Sequence, residues 1–274
     1  MTTKLAYLGP VGTFTEEAAE CHDSGAERIP FPTILSVINS VGQGDSDEGI
    51  VPIENSLEGS VNDTLDLLIH ESSLSIRKEI VLPINHCLLV NPGTDISSIT
   101  AIYSHPQALG QCRRFLEENF SGIQTMASLS TAAAVAQMKD SIEPVGAIAP
   151  GRTAKIYSVD ILLSGVQDES NNVTRFVVLG DVDHPPTGAD KTSLCFSFEG
   201  DGPGLLYGAM KIFAERDINL VKIESRPTKS ELGRYVFLID LEGHREDRFI
   251  GEALRELAAH VSDLKLFGSY PRHQ

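Results

Sequence analysis

Asn171-Asn172-Val173-Thr174-Arg175-Phe176-Val177-Val178-Leu179 opens on two carboxamides, closes on an apolar run and stops at Gly180. Residues 177–179 read as a buried strand. That strand would carry Thr174 and Arg175 at its mouth on a rigid support. Directly after it, residues 181–191 are short, polar and rich in Pro and Gly, as a domain boundary should be. The stretch therefore closes one region of the chain and announces another. Beyond the linker the pattern is strand 192–198, helix 203–215, strand 218–225, strand 234–241, helix 246–260 and strand 264–269. Phe213, Ile218, Leu220, Ile223, Val236, Leu238, Leu254 and Leu257 are its expected core. This βαββαβ order is the ferredoxin-like arrangement.

Upstream, strands alternate with helices, which predicts an α/β region of two lobes. Residues 5–8 form a first strand and 49–53 another. Ser60 and Asp63 open a helix whose apolar side is Val61, Leu65, Leu68 and Ile69. Residues 82–90 read as a strand leaving the first lobe. The second lobe has strands near 99–103, 123–127 and 145–149, with helices near 106–120 and 131–138. Residues 161–163 and then 173–179 return to the first sheet. The boundaries are lobe one at about 1–80 and 158–180, lobe two at about 81–157, a linker at 181–191 and a last domain at 192–274.

The bulk numbers exclude several classes. A chain of 274 residues with 41% apolar and 22% charged side chains is an ordinary globular composition. No apolar run approaches bilayer-spanning length, and no secretory hydrophobic region follows the start, so a cytoplasmic protein is expected. Thirty-eight acidic against 22 basic residues give −16, a field that repels nucleic acid and anionic membrane. Four scattered cysteines and eight scattered histidines show no ligand spacing, so neither a metal nor a cofactor is expected.

Polar groups recur where strands end. Gly9-Pro10-Val11-Gly12-Thr13-Phe14-Thr15-Glu16 follows the first strand, with Thr13 and Glu16 as a capping box. A helix start there offers free N–H groups to an anion. Glu54-Asn55-Ser56 follows the next strand with more hydrogen-bonding groups than a turn needs. In Ser104-His105-Pro106-Gln107, Pro106 suits the first helical position with His105 capping, and Gln111 shares a face with Gln107. Taken singly, each of these is an ordinary cap or surface turn. Together they would converge on one crevice, at strand ends and between lobes. Gly200-Asp201-Gly202-Pro203-Gly204 superficially suggests a dinucleotide loop. Its third glycine would fall at Leu205, and two adjacent strands replace the next crossover, so a nicotinamide site is rejected.

Gly9-Pro-x-Gly-Thr-Phe14, Val51-Pro-Ile-Glu-Asn-Ser56, Ser104-His-Pro-Gln107 and Thr174-Arg-Phe176 together resemble prephenate dehydratase. Gly204-Leu-Leu-Tyr207 and Glu224-Ser-Arg-Pro227 resemble that family's regulatory ACT domain. The resemblance implies a two-lobed periplasmic-binding-protein-like catalytic region followed by an ACT domain. With no chorismate mutase module before Lys4, it looks like the monofunctional form. It implies conversion of prephenate to phenylpyruvate, water and carbon dioxide, with phenylalanine as effector and a homodimer or homotetramer as the assembly.

By resemblance, Thr174 donates to the departing hydroxyl, while Asn55, Ser56, Ser104 and Gln111 orient substrate or steady charge. Arg175, or the backbone N–H groups beginning at Thr13, holds a carboxylate. Glu54 either orients another side chain or is protonated. Phe14, His105, Gln107 and Phe176 complete the substrate site. Gly202, Gly204, Leu205, Leu206, Asn219, Glu224, Ser225, Arg226 and Pro227 are the expected effector site. Arogenate as substrate and a non-catalytic amino-acid sensor are the rival readings.

Overall fold

The computed structural model describes residues 2–228 and 234–273. In chain order the first elements are β1 (Lys4–Leu8), α1 (Phe14–His22), β2 (Glu27–Phe31), α2 (Ile34–Gly42), β3 (Glu48–Asn55), β4 (Gly59–Ser60), α3 (Asn62–His70) and β5 (Ser75–Pro83). There follow β6 (His86–Val90), a 3₁₀ turn (Ile96–Ser98), β7 (Ala101–Ser104), α4 (Pro106–Gln111), α5 (Arg113–Asn119) and β8 (Gln124–Ala127). Then come α6 (Thr131–Lys139), β9 (Val145–Pro150), α7 (Arg152–Tyr157), β10 (Asp160–Ser164) and β11 (Val173–Gly180). The chain finishes with β12 (Asp190–Ser197), α8 (Leu205–Ala214), β13 (Leu220–Pro227), β14 (Tyr235–Glu242), α9 (Arg248–His260) and β15 (Asp263–Pro271).

Three sheets result. The first runs β2-β1-β3-β11-β5, with β4 on β3; the second runs β10-β6-β9-β7-β8; the third runs β13-β14-β12-β15. The third has the expected βαββαβ order, and its β12 pairs antiparallel with both β14 and β15. The chain divides into two compact units: Met1–Val37 with Ile50–Val61 and Val81–Phe176, and Ile38–Gly49 with Asn62–Ile80 and Val177–Gln274.

Within the first unit, α6 packs its small face (Ala134, Val135, Met138) on Leu89, Val145, Ala147 and Ala149. On a second core, Leu88, Ile102 and Ile148 meet Ala108, Cys112 and Leu116. Strands β6, β7 and β9 are buried on both faces, which is why they read as nearly unbroken apolar runs. Within the second unit, Phe213, Ile212, Leu254 and Leu257 pack on Leu194, Phe196, Ile239 and Leu241.

Several expectations need correction. The strand expected at 82–90 is two strands, β5 and β6. Pro83 has no N–H for a ladder, and Ile84 N instead bonds Asn172 O at 2.8 Å. The helix expected at 106–120 breaks at Cys112, where Asp168 caps the second segment through the N–H groups of Arg114 and Phe115 (3.0 and 3.2 Å). Ser60 lies in β4, and helix α3 starts after it. Strand β10 pairs antiparallel with β6 in the second sheet and does not return to the first. The reading from sequence lacked β2 and α2; Pro30 lies in β2, an edge strand, where a missing donor is tolerated.

Ile223 is 52% exposed and is no core residue. Strand β13 turns its charged side inward instead: Arg226 Nη2 lies 2.8 Å from Asp66 and Lys222 3.3 Å from Glu224. The partners sit on α3 and on β13 itself, so alternation placed charges where an apolar face was expected.

Strand β15 closes tightly on β5. Gly268 has φ +141°, and a Cβ there would lie 2.3 Å from Ile76 O. The ladder slips one residue here, Ser193 facing Gly268 and Leu194 facing Leu266. Gly268→Ala must therefore displace backbone, and we expect a loss of about 1–3 kcal/mol or more, as for other overpacked sites. A urea denaturation midpoint equal to that of the parent chain would show that the contact is not tight.

Candidate active site and effector cavity

Helix starts are the first component of the site. Thr13 caps α1, its Oγ1 accepting from Glu16 N, while Glu16 Oε2 accepts from Gly12 N at 2.7 Å. The capping box is thus shifted one residue upstream. His105 caps α4 through Nδ1, which accepts from Gln107 N, with Pro106 at the first helical position. Ser130 caps α6, its Oγ accepting from Ala133 N at 3.0 Å. All three caps line one cleft of about 390 Å³ within the first unit. Its wall also carries Phe14, Asn55, His86, Gln107, Gln111, Thr174 and Phe176.

Among the described residues, that lining has no Lys, Arg, Asp or Glu. Its only titratable groups are His86 and His105. Burial pushes the His86 pKa below its ordinary value, against a smaller upward pull from the hydrogen bond to Gln111. Histidines apart, the cleft wall has no formal charge in a chain of net −16. An anion entering it would meet helix N-termini and carboxamides as its donors.

A hydrogen-bond chain runs through the floor. The backbone N–H groups of Leu57 and Glu58 donate to Asn55 Oδ1 at 2.9 and 3.0 Å. These donors cannot be reversed, so the Asn55 amide nitrogen must face the other way. It donates to Asn172 Oδ1 at 2.8 Å, to Val173 O at 3.1 Å and to Thr174 Oγ1 at 2.8 Å. Thr174 Oγ1 is thereby an acceptor toward Asn55. Its own proton has no acceptor among the described residues and is available to the cleft.

The sequence-derived set separates into two groups. Thr13, Phe14, Asn55, His105, Gln107, Gln111, Thr174 and Phe176 line the cleft, whereas Glu54, Ser56, Ser104 and Arg175 do not. Glu54 Oε2 accepts from Arg175 Nε at 3.1 Å and lies 2.9 Å from Nη2. Arg175 is 8% exposed. Ser56 stitches the β3–β4 turn to β11: its N–H donates to Val173 O and its Oγ accepts from Val173 N. Ser104 is fully buried and donates to Ile148 O at 2.6 Å, tying β7 to β9. Asn172, to which the sequence motifs assign no role, is 1% exposed and links Asn55 to Gln111. His86 falls in the middle of the strand expected at 82–90, but it is the first residue of β6. The Pro83-Ile84-Asn85 punctuation before it was the available signal.

A second cavity, about 510 Å³, lies in the second unit. Gly202, Gly204, Leu205 and Leu206 line it, with Tyr207, Arg234, Tyr235 and Phe237. Gly204 has φ +89° at the start of α8, a conformation that suits glycine. Ser225 and Pro227 pair in register with Phe237 and Tyr235 of that wall. Glu224 and Arg226 join Lys222 and α3, and Asn219 O accepts from Glu242 N at 3.0 Å.

Two families match successive regions of the chain. Residues 5–184 match the family described as Prephenate dehydratase and residues 199–259 match the ACT domain. Over 270 residues the chain is 44% identical to the Bifunctional chorismate mutase/prephenate dehydratase of Aquifex aeolicus, covering 98% of this chain and 74% of that one. It is 39% identical to the Prephenate dehydratase of Bacillus subtilis, over 99% of each. The solved structure of Prephenate dehydratase in complex with L-Phe from Arthrobacter aurescens superposes with a TM-score of 0.91. It is 34% identical, over 98% of this chain and 90% of that one.

The direction of the Asn55 hydrogen bonds is open to test. Asn55→Asp keeps the acceptor for Leu57 and Glu58 but replaces the amide donor with an oxygen. That oxygen opposes Asn172 Oδ1 and captures the Thr174 proton. Urea denaturation should show a loss of about 1–3 kcal/mol, the usual cost of unsatisfied buried polar groups. Unchanged stability would contradict the assigned direction.

Proposed function

We propose, proceeding from the fact that this chain belongs to the prephenate dehydratase family, that it converts prephenate to phenylpyruvate in the cleft carrying Thr174. One observation carries the mechanism: Thr174 Oγ1 accepts from Asn55 Nδ2 at 2.8 Å, which leaves the hydroxyl proton free to point at substrate.

Prephenate is a dianion whose ring becomes aromatic when it loses carbon dioxide and the 4-hydroxyl. The C–C bond to the ring carboxylate breaks and its electron pair enters the ring. The C4–O bond breaks with its own pair, and the departing hydroxyl takes up a proton to leave as water. One proton is consumed overall and solvent supplies it in the end. Thr174 donates its hydrogen bond or proton at the moment of departure and is then restored. A threonine hydroxyl is a weak acid in water, so its contribution comes from position in a dry site.

The substrate carboxylates are held by the α1, α4 and α6 starts and by the carboxamides of Gln107 and Gln111. Phe14 and Phe176 enclose the ring, and His105 shapes the entrance as the α4 cap. Glu54, Ser56, Ser104 and Arg175 serve one layer out. Glu54 fixes Arg175, Ser56 fixes the β3–β4 turn, and Ser104 fixes the second sheet. A pyruvyl keto group suits this wall better than the α-amino group of arogenate, because the lining has no carboxylate to pair with an ammonium.

The same reading extends to control by phenylalanine at the cavity formed by Gly202–Leu206, in a division of labour with residues 1–180 catalytic, 181–191 linking and 192–274 regulatory. The family matches at 5–184 and 199–259 support that division. The free amides of a glycine-rich loop at a helix start are suited to an amino-acid carboxylate. Effector control requires phenylalanine to bind one conformation of the chain more tightly than the other.

Phenylpyruvate formation from prephenate, followed by its absorbance in alkali, tests the assignment. Thr174→Ala should lower kcat by about 10²–10³, as for removal of a central transition-state donor, with KM little changed and Thr174→Ser largely active. Full turnover in Thr174→Ala would remove the residue from the mechanism.

Added phenylalanine should slow the parent chain. Gly204→Val puts a branched side chain on the cavity wall at a left-handed position, so half-inhibition should need about tenfold more phenylalanine. Unaltered sensitivity would place the effector elsewhere.

A further inference from the structure

We infer that His86 is a positioning residue for the reaction, which as its neutral Nε2–H tautomer fixes the Gln111 carboxamide with its oxygen inward and its NH₂ toward substrate. The inference rests on the reading of the cleft given under Proposed function, and it adds a residue that the sequence motifs do not contain.

The polarity follows from backbone donors whose direction is fixed. Leu57 and Glu58 N–H groups orient Asn55, and Asn55 Nδ2 donates to Asn172 Oδ1. Asn172 is thereby oriented too, and its Nδ2 donates to Gln111 Oε1 at 3.0 Å. Gln111 Oε1 also lies 3.1 Å from His86 Nε2. An oxygen already accepting from Asn172 can face Nε2 at that distance only if Nε2 bears the proton. The opposite tautomer would set two lone pairs against each other and would bury an N–H at Nδ1, which has no partner among the described residues.

The ring is held on its other sides as well. It packs T-shaped with Phe14, the ring centroids 5.6 Å apart at 75°. Its backbone N–H donates to Gln167 Oε1 at 2.9 Å and its carbonyl accepts from Val166 N at 3.0 Å. At 3% exposure, burial lowers the imidazole pKa and disfavours the cation. Its use lies in the one bond it makes. Gln111 Oε1 carries two donors, so its NH₂ is directed into the cleft, where a carboxylate oxygen can accept from it.

Two experiments on the full chain test this. Long-range ¹H–¹⁵N correlation should show His86 with a pyrrole-type Nε2 and a pyridine-type Nδ1 at neutral pH; the reverse pattern overturns the inference. In kinetics, His86→Leu should lower kcat/KM about 10–100-fold, the range for residues that orient a reacting group from behind. His86→Gln, which keeps a donor at a similar reach, should recover part of it. In a Gln111→Ala background His86→Leu should cost less than about twofold further, because the path through Gln111 is already gone. Losses that simply multiply overturn the positioning role, since they assign His86 to packing. Should His86→Leu fail to fold, the His86→Gln cycle with Gln111→Ala gives the same decision. A parent chain that turns over no prephenate but shows the Nε2–H tautomer would overturn the assigned reaction and leave the orientation of Gln111 standing.

Discussion

The direction in which one carboxamide points governs the rest of the cleft. Asn55 sits where β3 ends and the β4 turn begins, and two main-chain N–H groups claim its oxygen. Everything its nitrogen touches must then accept: Asn172, the Val173 carbonyl and Thr174. An amide in solution would have no such preference. Here the turn selects one face of the amide, and the selection passes to β11 and to α4. The Thr174 hydroxyl proton is left free of Asn55, in a wall that carries no Lys, Arg, Asp or Glu.

Charge placement makes the same point on a larger scale. The chain has a formal charge of −16, yet the cleft wall has no Lys, Arg, Asp or Glu and is made of helix starts, amides and rings. The basic residue nearest in sequence to Thr174, Arg175, is paired with Glu54 at 2.9 Å. A carboxylate beside a dianion would be repulsive if exposed to it. Paired with a buried guanidinium, it becomes part of the support for β3 and β11. The Arg175 side chain is 10% exposed and that of Glu54 36%, so the guanidinium depends on this partner more than the carboxylate does.

The sequence was most legible where local chemistry dictates geometry. The Thr13 cap, the His105-Pro106 start of α4 and the βαββαβ order after residue 190 all follow from side chains close in the chain. It was least legible where tertiary partners overrule local pattern. Asp168 splits a helix at Cys112 from more than 50 residues away. Strand β13 alternates as an amphipathic strand should, but its inner face is Lys222, Glu224 and Arg226, because α3 supplies Asp66 and Asn62 opposite them. Asn172 and His86 belong to the same class: a buried amide and a buried imidazole have meaning only once Asn55 and Gln111 are brought beside them.

Neutron diffraction from crystals of the deuterated protein would locate the atoms on which the account depends. It predicts deuterium on Asn55 Nδ2 directed at Thr174 Oγ1, with the Thr174 deuterium turned away from Asn55 into the cleft. A Thr174 deuterium lying on the line to Asn55 would mean that the hydroxyl donates to its neighbour, and the mechanism built on its release would be wrong.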